Sequence, residues 1–400
     1  MMKRTFQSGP TAVVAAGTGL IAITYGVVRY GFGLQLPVLA REFSLSSGLA
    51  GLVAAGSFAA YCVAALAAQR LIDRPGARAV LWLAALLAAA GATTVALATT
   101  TPALAAGVLV AGSAAGAASP AMVVAVAASV RRPLAARAQA VVNAGTGVGV
   151  AVTGVAVLAV PEAWRPAWAV AAVGALLAAL VVDRRTAWPA PVPQPPDRAR
   201  RPRGASLRRA CAAAAVAGLG SAAFWTFGRD LVTTTGGLPG RTTAALWVLL
   251  GTAAVLGALS GDAVRVLGLR RAWTLTAGLS ALGTALLALA PGQVAVAALA
   301  AALFGGAYTA LSGVLIAWAG VVRPGTAGQA TATLFVALTG GQALGAAATG
   351  LLAERVGVLA AFWACAAVLL VAAGIRPSAQ ASPSRSSTQA SVKARRAHAW

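Results

Sequence analysis

The sequence predicts an all-α integral membrane protein, twelve transmembrane helices forming two six-helix bundles with both termini cytoplasmic. Three observations predict it. Of 400 residues, 59% are hydrophobic and 10% charged, with a mean hydropathy of +0.82, whereas a soluble domain carries about 25% charged residues. The apolar residues fall in long runs, including Ala12–Tyr30, Gly48–Ala68, Ala79–Thr99, Ala103–Val130 and Val294–Val322, with Arg29 their only charge. Crossing a bilayer core takes about 20 helical residues, and most runs meet that length. The basic residues lie between the runs and in the tail.

Taken in order, residues 1–10, with Lys3 and Arg4, form a cytoplasmic N-terminus ahead of a first bundle at 11–182. Span 1 (11–34) holds Arg29 and ends at Gln35-Leu36-Pro37, and span 2 (48–69) stops at Asp73. Span 3 (79–99) follows Arg78, and span 4 (103–130) contains Pro120 and stops at Arg131-Arg132-Pro133. Span 5 (138–160) is glycine-rich, and span 6 (167–182) follows Trp164-Arg165-Pro166. A Pro/Arg-rich cytoplasmic linker, 183–209, then breaks the pattern, since dense proline favours extended chain. The second bundle spans 210–375. Span 7 (210–231) carries Arg229-Asp230, and span 8 (242–261) stops at Asp262. Span 9 (272–290) follows Arg270-Arg271, and span 10 (294–322) stops at Arg323-Pro324. Span 11 (329–352) is again glycine-rich, span 12 is 357–375, and 376–400 reads as a disordered basic cytoplasmic tail.

Orientation follows from charge. Twenty-five of the 31 Lys and Arg fall on the side of the N-terminus and four (Arg41, Arg165, Arg241, Arg355) on the other, as the positive-inside rule requires. The same placement turns the net charge of +23 away from nucleic acid. The expected location is the cell membrane, multi-pass, in a bacterial inner membrane, as a monomer in the lipid bilayer. Cys62, Cys211 and Cys365 are scattered, and the single histidine, His398, lies in the tail. That inventory offers no metal ligands, no cofactor site and no acid–His cluster of an enzyme, and no P-loop is present for ATP drive.

The two bundles repeat one plan. Asp73-Arg74-Pro75-Gly76-Ala77-Arg78 follows span 2, and Asp262 through Gly268 to Arg270-Arg271 follows span 8. Arg132-Pro133 precedes span 5 and Arg323-Pro324 precedes span 11. Internal repeats of this kind mark secondary transporters.

These features resemble the major facilitator superfamily over essentially the whole chain. Asp73, Arg74, Gly76 and Arg78 match its loop signature between spans 2 and 3, while Gln69 and Ala77 depart from it. Asp262, Gly268 and Arg270 echo the signature in the second bundle. Tyr25–Phe32 with Leu36-Pro37, Asn143–Gly149 and Trp164–Trp168 resemble the YbfB/YjiJ-like branch. The resemblance implies alternating access by two rocking bundles.

Individual residues suggest roles beside it. The carboxylates Asp73 and Asp262 sit past helix ends, where they could pair with loop arginines or helix N-termini as a cytoplasmic latch; loop charge balancing is the rival. Arg29, a charge inside a span, is costly and marks function by default. Recognition of a substrate carboxylate or phosphate, an ion pair with Asp230, and snorkelling all remain open for it. Asp230 is the one acid expected within the pathway, hence the candidate for proton coupling or a gate. Tyr25, Arg29, Trp225, Arg229 and Tyr308 form the candidate substrate site. Gly145, Gly149, Gly341 and Gly345, four apart, are expected to let helices approach closely and to permit rocking between bundles. The function expected is transport of a small molecule by alternating access, coupled to protons or not, with a small organic anion first choice. Efflux of amphipathic compounds or a non-transporting sensor are the alternatives.

Overall fold

The computed structural model describes residues 9–160, 163–190 and 206–378. Residues 1–8, the centre of the linker (191–205) and the tail from 379 lie outside the described residues, and with them most of the segments expected to be disordered. The described chain is helical, with no strand.

Among the described residues, eleven helices are long and apolar enough to cross a membrane: α1 (Pro10–Glu42), α2 (Ser47–Ile72), α3 (Ala77–Ala96), α4 (Thr101–Ser129), α5 (Arg132–Ala159), α6 (Trp164–Arg185), α7 (Leu207–Thr235), α8 (Gly240–Leu267), α9 (Leu269–Leu289), α10 (Val294–Val322) and α11 (Pro324–Val356). The shorter apolar α12 (Val358–Gly374) completes the order. This is a multi-pass membrane protein. A helix is present at every expected span, most starting one to six residues earlier than expected; α1 also runs on through Pro37 to Glu42, and α6 continues through Asp183 to Arg185, taking residues expected in the linker.

Local chemistry sets the helix starts. The Ser46 side chain accepts from Leu49 N–H at 3.2 Å and caps α2, and Thr100 caps α4 in the same way, satisfying a donor that the first turn leaves free. Gly76 opens α3 at φ 88° and Gly268 opens α9 at φ 77°. Left-handed backbone of this kind suits glycine alone. The matched loops thus end in the same turn conformation, one that Gly357 ahead of α12 also adopts at φ 92°.

The ends of the bundle are distinguished here as the near end, where α1 begins and α12 finishes, and the far end. Among the first six helices, α3 packs on α4 and α6, and α1 on α5 and α6. Among the last six, α9 packs on α10 and α12, and α7 on α11 and α12. Three seams join the sets: α2 with α11, α5 with α8, and α1 with α7. At the far end the seams are tight. Glu354 accepts from Gly48 N–H at 2.7 Å, and Arg229 donates to the Leu34 carbonyl at 2.6 Å. No substantial seam joins α4 to α10 among the described residues.

Candidate functional site

The site is built on a widened stretch of α1. Residues Ala22–Arg29 are wound as a π-helix, a form that concentrates at functional positions. It lies where α1 and α5 nearly touch: a Cβ on Gly26 would sit 2.4 Å from Gly149 Cα. The stretch places Tyr25 and Arg29 inside the bundle.

Arg29 is 5% exposed. Its Nη2 donates to Gln342 Oε1 at 2.7 Å and to Thr339 Oγ1 at 2.9 Å, both on α11. Its guanidinium lies 4.2 Å from the Tyr61 ring centroid and 5.3–5.4 Å from those of Tyr25, Phe58 and Tyr30. Ring faces attract a desolvated cation, yet they do not neutralise it. Among the described residues no carboxylate pairs with it: the ion pairs are Arg78–Asp183, Arg165–Glu42 and Arg265–Asp262. A buried charge without a counter-ion is expensive to keep.

Hydroxyls and rings complete the surroundings. Tyr25 Oη bonds Ser119 Oγ at 2.7 Å and Tyr61 Oη at 3.1 Å, tying α1 to α4 and α2. Tyr30 stacks on Trp225 of α7 with ring centroids 4.0 Å apart, and Trp225 meets Tyr308 and Phe304 of α10 edge-on at 5.9 and 5.6 Å. A small crevice among these groups is lined by Arg29, Tyr30, Ser57, Phe58 and Trp225, with Val108 of α4.

Four of the five expected substrate residues, Tyr25, Arg29, Trp225 and Tyr308, therefore belong to one cluster. Arg229 does not. It is 3% exposed and spends its donors on Leu34 O, Thr243 Oγ1 (3.2 Å) and Gly240 O (3.3 Å), holding the far-end seam. Of the three readings left open for Arg29, the ion pair with Asp230 is not found among the described residues, and Arg229, next to Asp230 in the chain, does not pair with it either. Asp230 makes no ion pair among the described residues, because successive helix residues point in different directions and Arg229 turns toward α1 and α8.

The loop residues are also redistributed. Arg78 donates through Nε and Nη2 to Asp183 of α6 at 2.7 and 3.0 Å, with Trp188 Nε1 on the same carboxylate. Asp73 and Arg74 are exposed, Gly76 serves the turn, and Asp262 pairs with Arg265, three residues along, ahead of Gly268 and Arg270. Asp183, counted in the linker, was the acid to watch.

The expectation that Gly145, Gly149, Gly341 and Gly345 ease motion between bundles is corrected. A Cβ on Gly145 would meet Thr18 O, on Gly149 Ala22 O, on Gly341 Ala215 O and on Gly345 Leu219 O, all at 2.0–2.4 Å. These glycines weld α5 to α1 and α11 to α7 within each set of six. Contact between the sets uses other glycines: Gly147 against Gly251, Gly154 against Val248, and Gly51 against Gly350.

A polytopic helical protein with a buried, unneutralised cation bridging two groups of helices has the build of a membrane transporter. The profile of the Major Facilitator Superfamily matches residues 18–332, and the chain belongs to that superfamily of transporters. No curated protein matches by sequence. Solved structures with a similar fold include the nucleoside transporter NupG (11% identity, TM-score 0.74, covering 90% of this chain and 98% of that one). A bacterial homologue of the human lysosomal transporter Spinster, inward-facing and unoccupied, gives 16% identity and TM-score 0.72, with 92% and 96% covered. The human organic anion transporter MFSD10 gives 17% and 0.69, with 92% and 99% covered. At these identities the likeness concerns the fold.

Proposed function

We propose that the protein is a secondary transporter that carries a small organic anion by alternating access, with Arg29 as the cation that recognises it. The first six and last six helices are the two moving bundles. With the near end cytoplasmic, as the basic residues indicate, tight far-end seams and the lack of a substantial α4–α10 seam among the described residues correspond to an inward-facing state.

One observation carries the reading. Arg29 is buried between the sets and bonded only to side-chain oxygens of α11, whereas Arg229, the other buried arginine without a carboxylate, is held by two backbone carbonyls and Thr243, and Arg78 and Arg165 have carboxylate partners, among the described residues. A substrate carboxylate supplies the missing counter-charge, and both bundles touch it. The ring faces of Phe58, Tyr61 and Trp225 suit an apolar body. Asp230, half-buried on α7, is assigned proton coupling: Asp230→Asn removes dependence on a pH gradient and leaves exchange intact.

The test is ligand-induced stabilisation of the purified protein in detergent, since a ligand specific for the folded state raises its melting temperature. Small carboxylates stabilise the wild type and not Arg29→Ala. Stabilisation by cationic amphiphiles alone would make Arg29 structural and the substrate a different class.

A further inference from the structure

Native proteins leave few buried polar groups unpartnered. Seven buried side-chain atoms make no hydrogen bond of good geometry among the described residues: Arg29 Nε, Ser57 Oγ, Ser129 Oγ, Thr186 Oγ1, Trp225 Nε1, Tyr308 Oη and Gln342 Nε2, with Tyr308 in side-chain contact with Gln342 and Ser221. Five of the seven gather around Arg29. Ser57 and Trp225 line the same crevice as the arginine, Gln342 is bonded to it, and Tyr308 meets the Trp225 ring. Arg29 Nε, Trp225 Nε1 and Gln342 Nε2 can only donate, and the two hydroxyls can do so. Such a set fits a ligand that is rich in acceptors.

The arginine itself narrows the choice. Both bonds to α11 leave from Nη2, and Nε is idle. Nε and Nη2 form the edge of the guanidinium that takes a carboxylate with two parallel bonds. The same chain shows that use of the edge in Arg78, whose Nε and Nη2 hold Asp183 at 2.7 and 3.0 Å. At Arg29, two neutral oxygens crowd one nitrogen where a carboxylate would span both.

We infer that Gln342 and Thr339 stand in the seat of the substrate carboxylate in the empty protein, and that a flat carboxylate bearing a second acceptor displaces them from Arg29. The inference rests on reading Arg29 as the anion-recognition cation. On displacement the Gln342 amide turns its Nε2 to the ligand, beside Trp225 Nε1 and Tyr308 Oη, which meet the second acceptor. The surrounding rings favour a flat body over a puckered one. Breaking the Arg29 bonds to α11 also removes a tie between the two sets of helices, so ligand binding and the release of one cross-link are a single event.

Gln342→Glu tests the seat without any ligand, because it puts a tethered carboxylate there. The ligand-free melting temperature rises relative to the wild type, and the rise vanishes in the Arg29→Gln background. Benzoate and nicotinate then stabilise Gln342→Glu at least ~10-fold less potently than the wild type, the scale on which a competing charge pair acts. Thr339→Val, which removes one competitor and keeps the donors, tightens nicotinate by about two- to tenfold, the worth of one hydrogen bond. In the wild type nicotinate, with its ring acceptor, outranks benzoate, and benzoate outranks cyclohexanecarboxylate. A Gln342→Glu protein that gains no Arg29-dependent stability, or that binds nicotinate like the wild type, overturns the stand-in. Equal potency of the three acids overturns the flat, two-acceptor class. A wild type indifferent to every carboxylate, with Gln342→Glu still stabilised through Arg29, overturns the organic-anion reading and leaves the seat.

Discussion

Two glycine substitutions that disturb α11 through different faces should have separable consequences. Gly51→Ala places a methyl 2.6 Å from Ala346 O and 3.0 Å from Gly350 Cα, across the α2–α11 seam. Gly345→Ala places one 2.2 Å from Leu219 O and 2.9 Å from the Ala222 Cβ, within the last six helices. Backbone atoms cannot step aside cheaply, and overpacking costs about 1–3 kcal/mol. The helical preference of Ala over Gly returns about 0.5–1 kcal/mol. For Gly345→Ala both terms bear on folding, leaving a net loss on the order of 1–2 kcal/mol. For Gly51→Ala the helical gain is common to every conformer and cancels. The clash exists only while the far end is closed, so the balance shifts toward opening by about 5–150-fold. Spin labels at the exposed positions Leu52 and Val356, with the three cysteines replaced, report that separation in a bilayer. A longer-distance population in Gly51→Ala, absent from Gly345→Ala, is expected. An unchanged distance distribution in Gly51→Ala, together with a fall in melting temperature as large as that of Gly345→Ala, would refute the division of glycines into weld and seam.

Three further outcomes follow from the near end and the hydroxyl cluster. Gly76→Ala forces a side chain into φ 88° and should cost about 1–3 kcal/mol. Gly278→Ala, with open space around it, is the control, and equal melting temperatures for the two would remove the turn argument. Asp183→Asn, which removes the charge and replaces one acceptor oxygen facing Arg78 with an amide donor, lowers the melting temperature more than Asp73→Asn, whose carboxylate is exposed; the reverse order would make the loop acid the structural one. Tyr25→Phe deletes the hydroxyl joining Ser119 and Tyr61 and should destabilise by about 0.5–1.5 kcal/mol, seen as a lower chemical-denaturant midpoint. No change there would mean Ser119 and Tyr61 find each other or water.

Much of this was legible in the sequence because the bilayer imposes it. A helix must be long and apolar to cross, and basic loops must stay on one side, so all twelve helices could be counted. Gly76 and Gly268 could be matched as repeats because a left-handed turn admits little else. Arg29 announced itself by its cost. Its partners did not, since Thr339 and Gln342 are neutral and lie 310 and 313 residues away; a search for opposite charge led to Asp230 instead. The four-residue glycine spacing identified a helix face but not the helix opposite, and so could not separate Gly149 from Gly147, two residues along. Asp183 was hidden by its position beside Arg184 and Arg185, where composition already resembled a linker.

The polar ties between the two sets of helices differ in what they leave behind when broken. Glu354 is exposed, and on losing Gly48 N–H its carboxylate meets water at the far end. Arg229, on losing Leu34 O, keeps Thr243 and Gly240 of its own set. Arg29 has no such reserve: among the described residues both of its hydrogen bonds go to α11, and its own set offers it only ring faces. Separation of the sets at that depth leaves a buried cation with no hydrogen-bond acceptor, a penalty of several kcal/mol per ion. In the proposed cycle this is the step that a bound carboxylate makes passable, since it stays on Arg29 while the helices part. An empty carrier would have to strip Arg29 bare to open its far side. The asymmetry therefore predicts obligate exchange to be faster than net flux of empty carrier. Counterflow in Arg29-intact proteoliposomes should outpace zero-trans uptake, and Arg29→Gln, which removes the stranded charge, should erase that difference along with anion selectivity.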